Sequence, residues 1–199
     1  MDFKTSETKD NLMRAFAGES QARNRYTFAA EEAKKQKQEV LEKVFLFTAE
    51  QERAHAKVFY QHLKELAGET IHIDGGYPVD LSENLLELLK RAQHNEYEES
   101  DDVYIAFGDK AKEEGFPQVA SSFYNIAGIE KVHGNRFGRF AKWLEENSLY
   151  VASVSQGFMC LNCGYIYEGE QAPKKCPVCG VDQGYFIRLQ LAPYTDESK

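Results

Sequence analysis

Two Glu-x-x-His motifs, Glu52 with His55 and Glu130 with His133, hold the residues of this chain best suited to chemistry. Both sit where apolar residues belong. The stripe Val119, Phe123, Ile126 resumes at Phe137, Phe140 and Leu144, in the three- and four-residue steps of a buried helical face. Glu130 and His133 occupy its middle. The other motif lies in the stripe Leu41, Phe45, Thr48, Phe59, Leu66. A carboxylate and an imidazole on a packed face are costly to desolvate without a partner. Spaced three apart on a helix, they share one side and reach one point. Glu19 interrupts a stripe running Leu12, Ala15, Ala22, Tyr26, Ala29, Ala33, and Glu96 and Glu99 interrupt another running Leu85, Leu89, Ala92, Val103, Ala106. One Glu from each of two helices, with Glu-x-x-His from each of two others, is the ligand pattern of di-iron and di-manganese carboxylate bundles. Hard carboxylates with borderline imidazoles suit those metals in two redox states.

A second set is Cys160-x-x-Cys163 and Cys176-x-x-Cys179, each pair followed by glycine, Gly164 and Gly180. Glycine there allows the tight turn that aims backbone N–H groups at sulfur. Two such turns make a tetrahedral four-thiolate site, which zinc and a single iron accept equally on ligand type. A one-electron iron has an obvious task beside a di-metal site, and that favours iron. All the cysteines of the chain fall in this cluster, which points to metal rather than disulfides.

Each assignment has a plainer rival. Isolated glutamates on a highly charged chain are usually solvated. Glu69-x-x-His72 has the right spacing but lies in a Gly/Thr/Ile stretch without helical period, where three-residue spacing loses its meaning. His62 and His94 lack partner geometry and read as partly exposed helix residues. Tyr26 and Tyr104 are either core aromatics or hydroxyl donors to ligand carboxylates. The seven bundle residues differ because all sit mid-helix and in register with apolar stripes.

The elements that must carry these residues follow from the same periodicity. Helices are expected over Thr5 to Lys35, Val40 to Ala67, a third from a cap at Asp80 or Ser82 with Glu83 in its first turn as far as Gly115, and a fourth from Pro117 to Glu146. Short links join them in pairs, and Gly68 to Asp80, with Gly75, Gly76 and Pro78, joins the pairs. That predicts a mainly α chain, a ferritin-like four-helix bundle with one long crossover over residues 1–147. A linker is expected at 148–157, and a small four-cysteine β/loop domain at 158–199. A chain that short needs a bound metal to hold it.

The helix pairs repeat: Glu52 to Glu130, His55 to His133 and Tyr26 to Tyr104 are each 78 positions, while Glu19 to Glu96 is 77. The repeat implies a two-fold-related site. Glu99 breaks it, because its counterpart is Ala22. One extra carboxylate on one side is the asymmetry that a redox-dependent ligand exchange needs.

The whole chain has 199 residues and a net charge of −8, 42% of its residues are hydrophobic and 28% charged. This is the composition of a soluble globular protein, and its sign argues against a nucleic-acid partner. No apolar run is long enough to span a bilayer, and Met1 to Asp10 lacks the apolar core of a signal peptide, so a cytoplasmic location is expected.

At this point the chain resembles a rubrerythrin over nearly its whole length. The resemblance rests on Ala17-Gly-Glu-Ser-Gln-Ala-Arg-Asn-Arg-Tyr26, Glu52-x-x-His55, Glu96-x-x-Glu99, Glu130-x-x-His133, and the rubredoxin-like Cys160-x-x-Cys163-Gly with Cys176-Pro-x-Cys179-Gly. It implies two non-haem irons in the bundle and one iron at the four cysteines of a rubredoxin-like domain, where zinc can substitute. It also implies reduction of hydrogen peroxide to water, with electrons from NAD(P)H through an external reductase or rubredoxin, and protection against oxidative stress. By the resemblance, Glu52 and Glu130 bridge the irons, and Glu19 and Glu96 are terminal ligands. His133 binds one iron, and the other exchanges Glu99 for His55 on reduction. A homodimer or higher homo-oligomer is implied too, with the tail near another subunit's bundle. Asn95-Glu96 departs from the family's usual Gly-Glu, and Val103-Tyr104-Ile105 from its frequent Met-Tyr-Pro.

Two other functions compete. An iron-handling bundle of ferritin type would oxidise ferrous ion with oxygen. A zinc-stapled interaction protein would be colourless. No nicotinamide or flavin motif is visible, so direct NADH oxidation by this chain is not expected.

Overall fold

The structure, a computed structural model, describes residues 1–195. The last four residues of the expected tail domain lie outside the described residues.

Helix α1 spans Glu7–Lys35 and starts two residues later than expected, because the Ser6 hydroxyl caps it, accepting from the Lys9 amide at 3.1 Å. A tight turn with Lys37 at φ 57° reverses the chain into α2, Glu39–His62. The second helix ends earlier than its stripe suggests, and Lys64–Leu66 continues as one 3₁₀ turn. Residues 67–84 cross over without helix, so the Glu69/His72 pair is indeed off any helix.

The third rod differs from expectation in two ways. Its cap is Asn84, whose side chain accepts from the Leu86 and Glu87 amides, and Glu83 precedes the helix. Asp80 is committed elsewhere, to Asn95 and Arg25, and the Ser82 hydroxyl bonds Glu87. The rod is also not one α-helix. Helix α3, Leu85–Glu98, passes through a π-helical segment, Glu99–Val103, into α4, Tyr104–Glu113. Helix α5, Pro117–Glu145, has proline in its first turn as expected.

These rods form the four-helix bundle with one long crossover. Two apolar clusters fill it. One, towards the tail, contains Tyr26, Phe45, Leu89, Phe137 and Phe140. The other contains Leu12, Phe59, Tyr104, Phe123 and Ile126. Phe45, Phe59, Phe123 and Phe137 are all fully buried. At about 1.5–3 kcal/mol for each such side chain, the clusters offset the cost of the polar layer held between them.

The segment 148–157 is not the linker expected. From Val151 it is strand β1, Val151–Cys160, which lies between β2, Ile166–Gln171, and β3, Phe186–Arg188, antiparallel to both. Its first half pairs irregularly, with a register shift between Val151 and Gln156. Small and polar side chains there hide the strand from a reading by alternation; the ladder to β2 makes it one. The tail core is Phe158, Cys160, Ala172, Cys176 and Phe186.

The tail rests on the end of the bundle where α1 turns into α2. The Tyr150 hydroxyl donates to Gln38 at 2.5 Å, and the Arg188 guanidinium lies 4.4 Å over the Trp143 ring. Gly184 comes so close to the turn that an added Cβ would lie 1.9 Å from the Lys37 carbonyl oxygen. Among the described residues no helix is long and apolar enough to cross a membrane.

Candidate metal centres

Mid-bundle, each rod turns its polar interruption inward. Glu19 comes from α1, Glu52 and His55 from α2, Glu96 from α3, Glu130 and His133 from α5. Glu19, Glu52, Glu130 and His133 are fully buried, Glu96 is 1% exposed and His55 6%. Glu52, His55, Glu130 and His133 each offer an atom within 4.8 Å of the others.

The two oxygens of a single carboxylate serve different imidazoles. Glu130 Oε1 lies 2.8 Å from His55 Nδ1, and Glu130 Oε2 lies 2.8 Å from His133 Nδ1. Glu52 repeats this, with Oε2 3.3 Å from His55 Nδ1 and Oε1 2.9 Å from His133 Nδ1. Glu96 approaches the His133 side at 3.4 Å, and Glu19 the His55 side at 3.9 Å. The imidazoles stack with centroids 5.5 Å apart. The layer therefore has two halves, each with one histidine and one private carboxylate, and two carboxylates shared between them.

Those close atoms are not hydrogen-bonded to one another. Both oxygens of Glu52 and Glu130, Glu19 Oε2, Glu96 Oε2, His55 Nδ1 and both His133 nitrogens lack a hydrogen-bond partner among the described residues. A buried polar atom left so costs about 1–3 kcal/mol, more when charged. Eight of these atoms, all but His133 Nε2, converge on one space and are of metal-ligand type, which is what a cation pair satisfies. The donor set fits iron.

Electrostatics show the same demand for positive charge. Burial, then the charges of Glu130 and Glu52, push the Glu19 carboxyl well above its usual range. Burial and the Glu52 charge do likewise to Glu96. Burial lowers the His133 imidazole, but the Glu130, Glu52 and Glu96 carboxylates outweigh it and push it up to about 12. His55 is pushed up to about 9 against the same burial, chiefly by Glu130 and Glu52. Protons take the place of cations when none is bound.

The tyrosines resolve as donors. The Tyr104 hydroxyl donates to Glu19 at 2.6 Å, and the Tyr26 hydroxyl to Glu96. Each private carboxylate is thus held from the rod opposite in the repeat.

In the tail, Cys160 Sγ lies 3.8 Å from Cys179 Sγ, and Cys163 Sγ lies 3.7 Å from Cys176 Sγ. These are not disulfides. They match the edge, about 3.8 Å, of a tetrahedron with metal–sulfur bonds of about 2.3 Å. The turns are twins. Gly164 and Gly180 stand at φ 77° and 78°, and their amides donate to the Cys160 and Cys176 carbonyls, both at 2.9 Å. The Asn162 side chain and the Val181 amide bond the Cys179 sulfur and lower its thiol to about 6.

A family model described as rubrerythrin matches residues 10–141, and one described as rubrerythrin, rubredoxin-like domain, matches residues 158–187. The chain belongs to the rubrerythrin family. It is 45% identical to the rubrerythrin of Clostridium perfringens, covering 92% of this chain and 94% of that one. It is 36% identical to the rubrerythrin of Nitratidesulfovibrio vulgaris, over 94% and 97%. Among solved structures, fully reduced, all-ferrous nigerythrin superposes with a TM-score of 0.62 at 28% identity, covering 92% of this chain and 90% of that one. A rubrerythrin carries a di-iron pair in its bundle and a rubredoxin-like iron in its tail, and both donor sets here fit those groups.

One feature of this rubrerythrin escaped the sequence reading, although its trace was visible. Glu19 and Tyr26 are seven positions apart; Glu96 and Tyr104 are eight. The extra residue is absorbed by the wide turn at Glu99–Val103, which restores Tyr104 to the face that meets Glu19. π-Bulges of this kind are frequent at functional sites. Glu99 opens the bulge and stands apart from the four-residue group, keeping partial exposure. The family departure at Asn95 also has a contact: its amide donates to Asp80 at 2.7 Å and ties α3 to the crossover.

Proposed function

We propose that this rubrerythrin is a cytoplasmic peroxidase that reduces hydrogen peroxide to water. Its electrons would originate in NAD(P)H and arrive through an external reductase or rubredoxin and then the tail iron. The observation that carries this reading is the pair of shared carboxylates, each offering one oxygen to each histidine half. That arrangement supports Glu52 and Glu130 as bridging ligands, with Glu96 and His133 terminal on one side and Glu19 on the other. His55 and Glu99 are the alternative ligands of that second side. Held by these residues, an iron pair would supply two electrons to hydrogen peroxide, which with two protons would give two waters rather than a hydroxyl radical.

The chain contributes placement. Tyr104 and Tyr26 fix the orientation of Glu19 and Glu96 and so set which lone pairs face the centre. The apolar clusters on both sides exclude bulk water from the layer. Glu99, set in the π-bulge beside the site, is partly exposed where the other carboxylates are enclosed, which supports it as the ligand that exchanges. Four thiolate ligands suit a reducing compartment, which supports the cytoplasm. A homodimer, with the tail serving a neighbouring bundle, is part of the same reading.

The test compares oxidants. Iron-loaded protein, reduced anaerobically, is mixed with hydrogen peroxide in one series and with oxygen in another, and both iron spectra are followed. Complete reoxidation by peroxide at a rate well above that with oxygen is expected. Faster consumption of added ferrous ion with oxygen, and slow reaction with peroxide, would assign the chain to iron handling instead.

A further inference from the structure

At the edge of the buried layer, Glu99 lines a pocket that opens to the outside. This pocket, of about 200 Å³, lies against α1 beneath the crossover, and its walls include Gly18, Arg25, Tyr77, Asn95 and Glu99. Water takes about 30 Å³ in the liquid, so the pocket holds a few molecules of that size. Unlike the six enclosed ligand-type residues, Glu99 keeps partial exposure.

Tyr77 stands across this pocket. A Cβ placed on Gly18 would lie 3.7 Å from the Tyr77 ring and 3.9 Å from Glu99 Oε1, so ring and carboxylate meet over the bare backbone of α1. The Tyr77 hydroxyl donates to the Arg14 carbonyl at 3.0 Å. The loop bearing it is pinned on both sides. Asp74 pairs with Arg14 at 2.7 Å; Asp80 accepts from Asn95 at 2.7 Å and lies 3.4 Å from Arg25. Between the anchors stand Gly75, Gly76, Tyr77, Pro78 and Val79. The first anchor is weak, because Asp74 is 92% exposed, whereas Arg25 and Asp80 are each 12% exposed. The two arginines are matched by the two aspartates, so the mouth presents no uncompensated cation to draw in an anion.

We propose that this pocket is the substrate inlet and that Tyr77 is its size filter, admitting hydrogen peroxide and rejecting hydroperoxides with bulky alkyl groups. The inference rests on the peroxidase reading for the identity of the substrate, but not for the existence of the route. Tyr77 acts through steric exclusion and touches no ligand nitrogen or reacting atom; it is a specificity residue. Gly18 belongs to the same device, since its missing side chain leaves the passage open.

Two measurements test it on the full iron-loaded chain, with Tyr77→Ala and Tyr77→Phe. First, protein reduced anaerobically is mixed with hydrogen peroxide or tert-butyl hydroperoxide, and the ratio of the two reoxidation rates is read. Tyr77→Ala should raise the rate with tert-butyl hydroperoxide by about tenfold or more, and leave that with hydrogen peroxide within about twofold, as removal of a pocket wall does. Tyr77→Phe, which keeps the ring, should hold the wild-type ratio. Second, 2,2′-bipyridyl, a neutral planar chelator, should strip ferrous iron from the bundle several-fold faster in Tyr77→Ala. Gly18→Leu, which fills the passage from α1, should slow it below wild type. An unchanged peroxide ratio together with unchanged stripping would overturn the inlet. Altered stripping in a protein that reacts with neither peroxide would leave the inlet standing and remove the peroxidase reading instead.

Discussion

The bundle centre draws its ligands from rods far apart in sequence, and those rods are held by two apolar clusters that make no use of metal. The tail centre draws its ligands from two turns within one short stretch, and two of the cysteines are themselves members of a five-residue core. In the first region the scaffold precedes the cations and carries a strained polar layer for them. In the second the metal is part of what holds the fold. A scaffold that stands alone can leave a carboxylate such as Glu99 partly exposed at the edge of the layer. A fold tied to its metal has four ligands of one chemical type set in two matching turns, which suits passing one electron without rearrangement.

The contrast breaks most visibly on removal of metal. Stripped of all metal by acid and chelator, the tail should lose its strand signals by NMR while the helical circular dichroism of the bundle persists. Structural metal sites of this kind contribute roughly 10 kcal/mol or more to a small domain, a share that so small an apolar core cannot spare. Cooperative loss of both regions together would show that the two are one folding unit.

Next in size is the separation of roles. Glu130→Ala removes a carboxylate shared by both halves and should lower peroxide turnover by about a hundredfold or more. Cys163→Ser should block turnover driven by an external reductase, yet leave a single reoxidation of chemically reduced bundle iron within about twofold. If Cys163→Ser slows both equally, the tail is doing more than delivering electrons.

The pH dependence of the metal-free bundle sharpens the comparison further. His55 and His133 have folded values above their ordinary 6.5, about 9 and about 12. Their stabilising contribution is complete below 6.5 and fades as pH rises through the folded values. The raised carboxyls of Glu19 and Glu96 run the same way above their ordinary 4.5. Only Glu52, lowered to about 2 by the two imidazoles against its own burial, opposes them, and it does so below 4.5. The melting temperature of the apo-bundle should therefore fall between pH 6.5 and 9. That of the iron-loaded bundle should not, because bound cations hold the imidazoles neutral in that range. Parallel curves would mean that the polar layer is not the metal site.

The smallest expected effect is Tyr104→Phe. It keeps the ring among Phe59 and Phe123 and deletes one hydroxyl bonded to Glu19. A loss of about 1–2 kcal/mol in thermal or denaturant stability is expected. A metal content below that of the parent would be the companion sign that Glu19 has lost its orientation.

The ligand residues were legible because each breaks a strong local pattern. A Glu or His in an apolar stripe is conspicuous, and three-residue spacing places it on one face whatever the rest of the chain does. The twin cysteine turns were legible for a similar reason, since glycine at positive φ is a local demand. The strand from Val151 was not, because its small polar side chains carry no period and the partner ladder lies further along the chain. The cap at Asn84 was missed because Asp80 and Ser82 are equally good caps until Arg25, Asn95 and Glu87 claim them.

By itself the sequence determined which side chains face inward, that they form two metal-binding sets, and that four rods must carry the larger one; these depend on periodicities within single elements. Tertiary structure decided the rest. It gave Glu52 and Glu130 one oxygen for each histidine, crossed Tyr26 to Glu96 and Tyr104 to Glu19, and brought both Tyr77 and Glu99 up to Gly18. Each of these depends on the distance between atoms of different rods, and helical phase says which way a residue points but not what it meets.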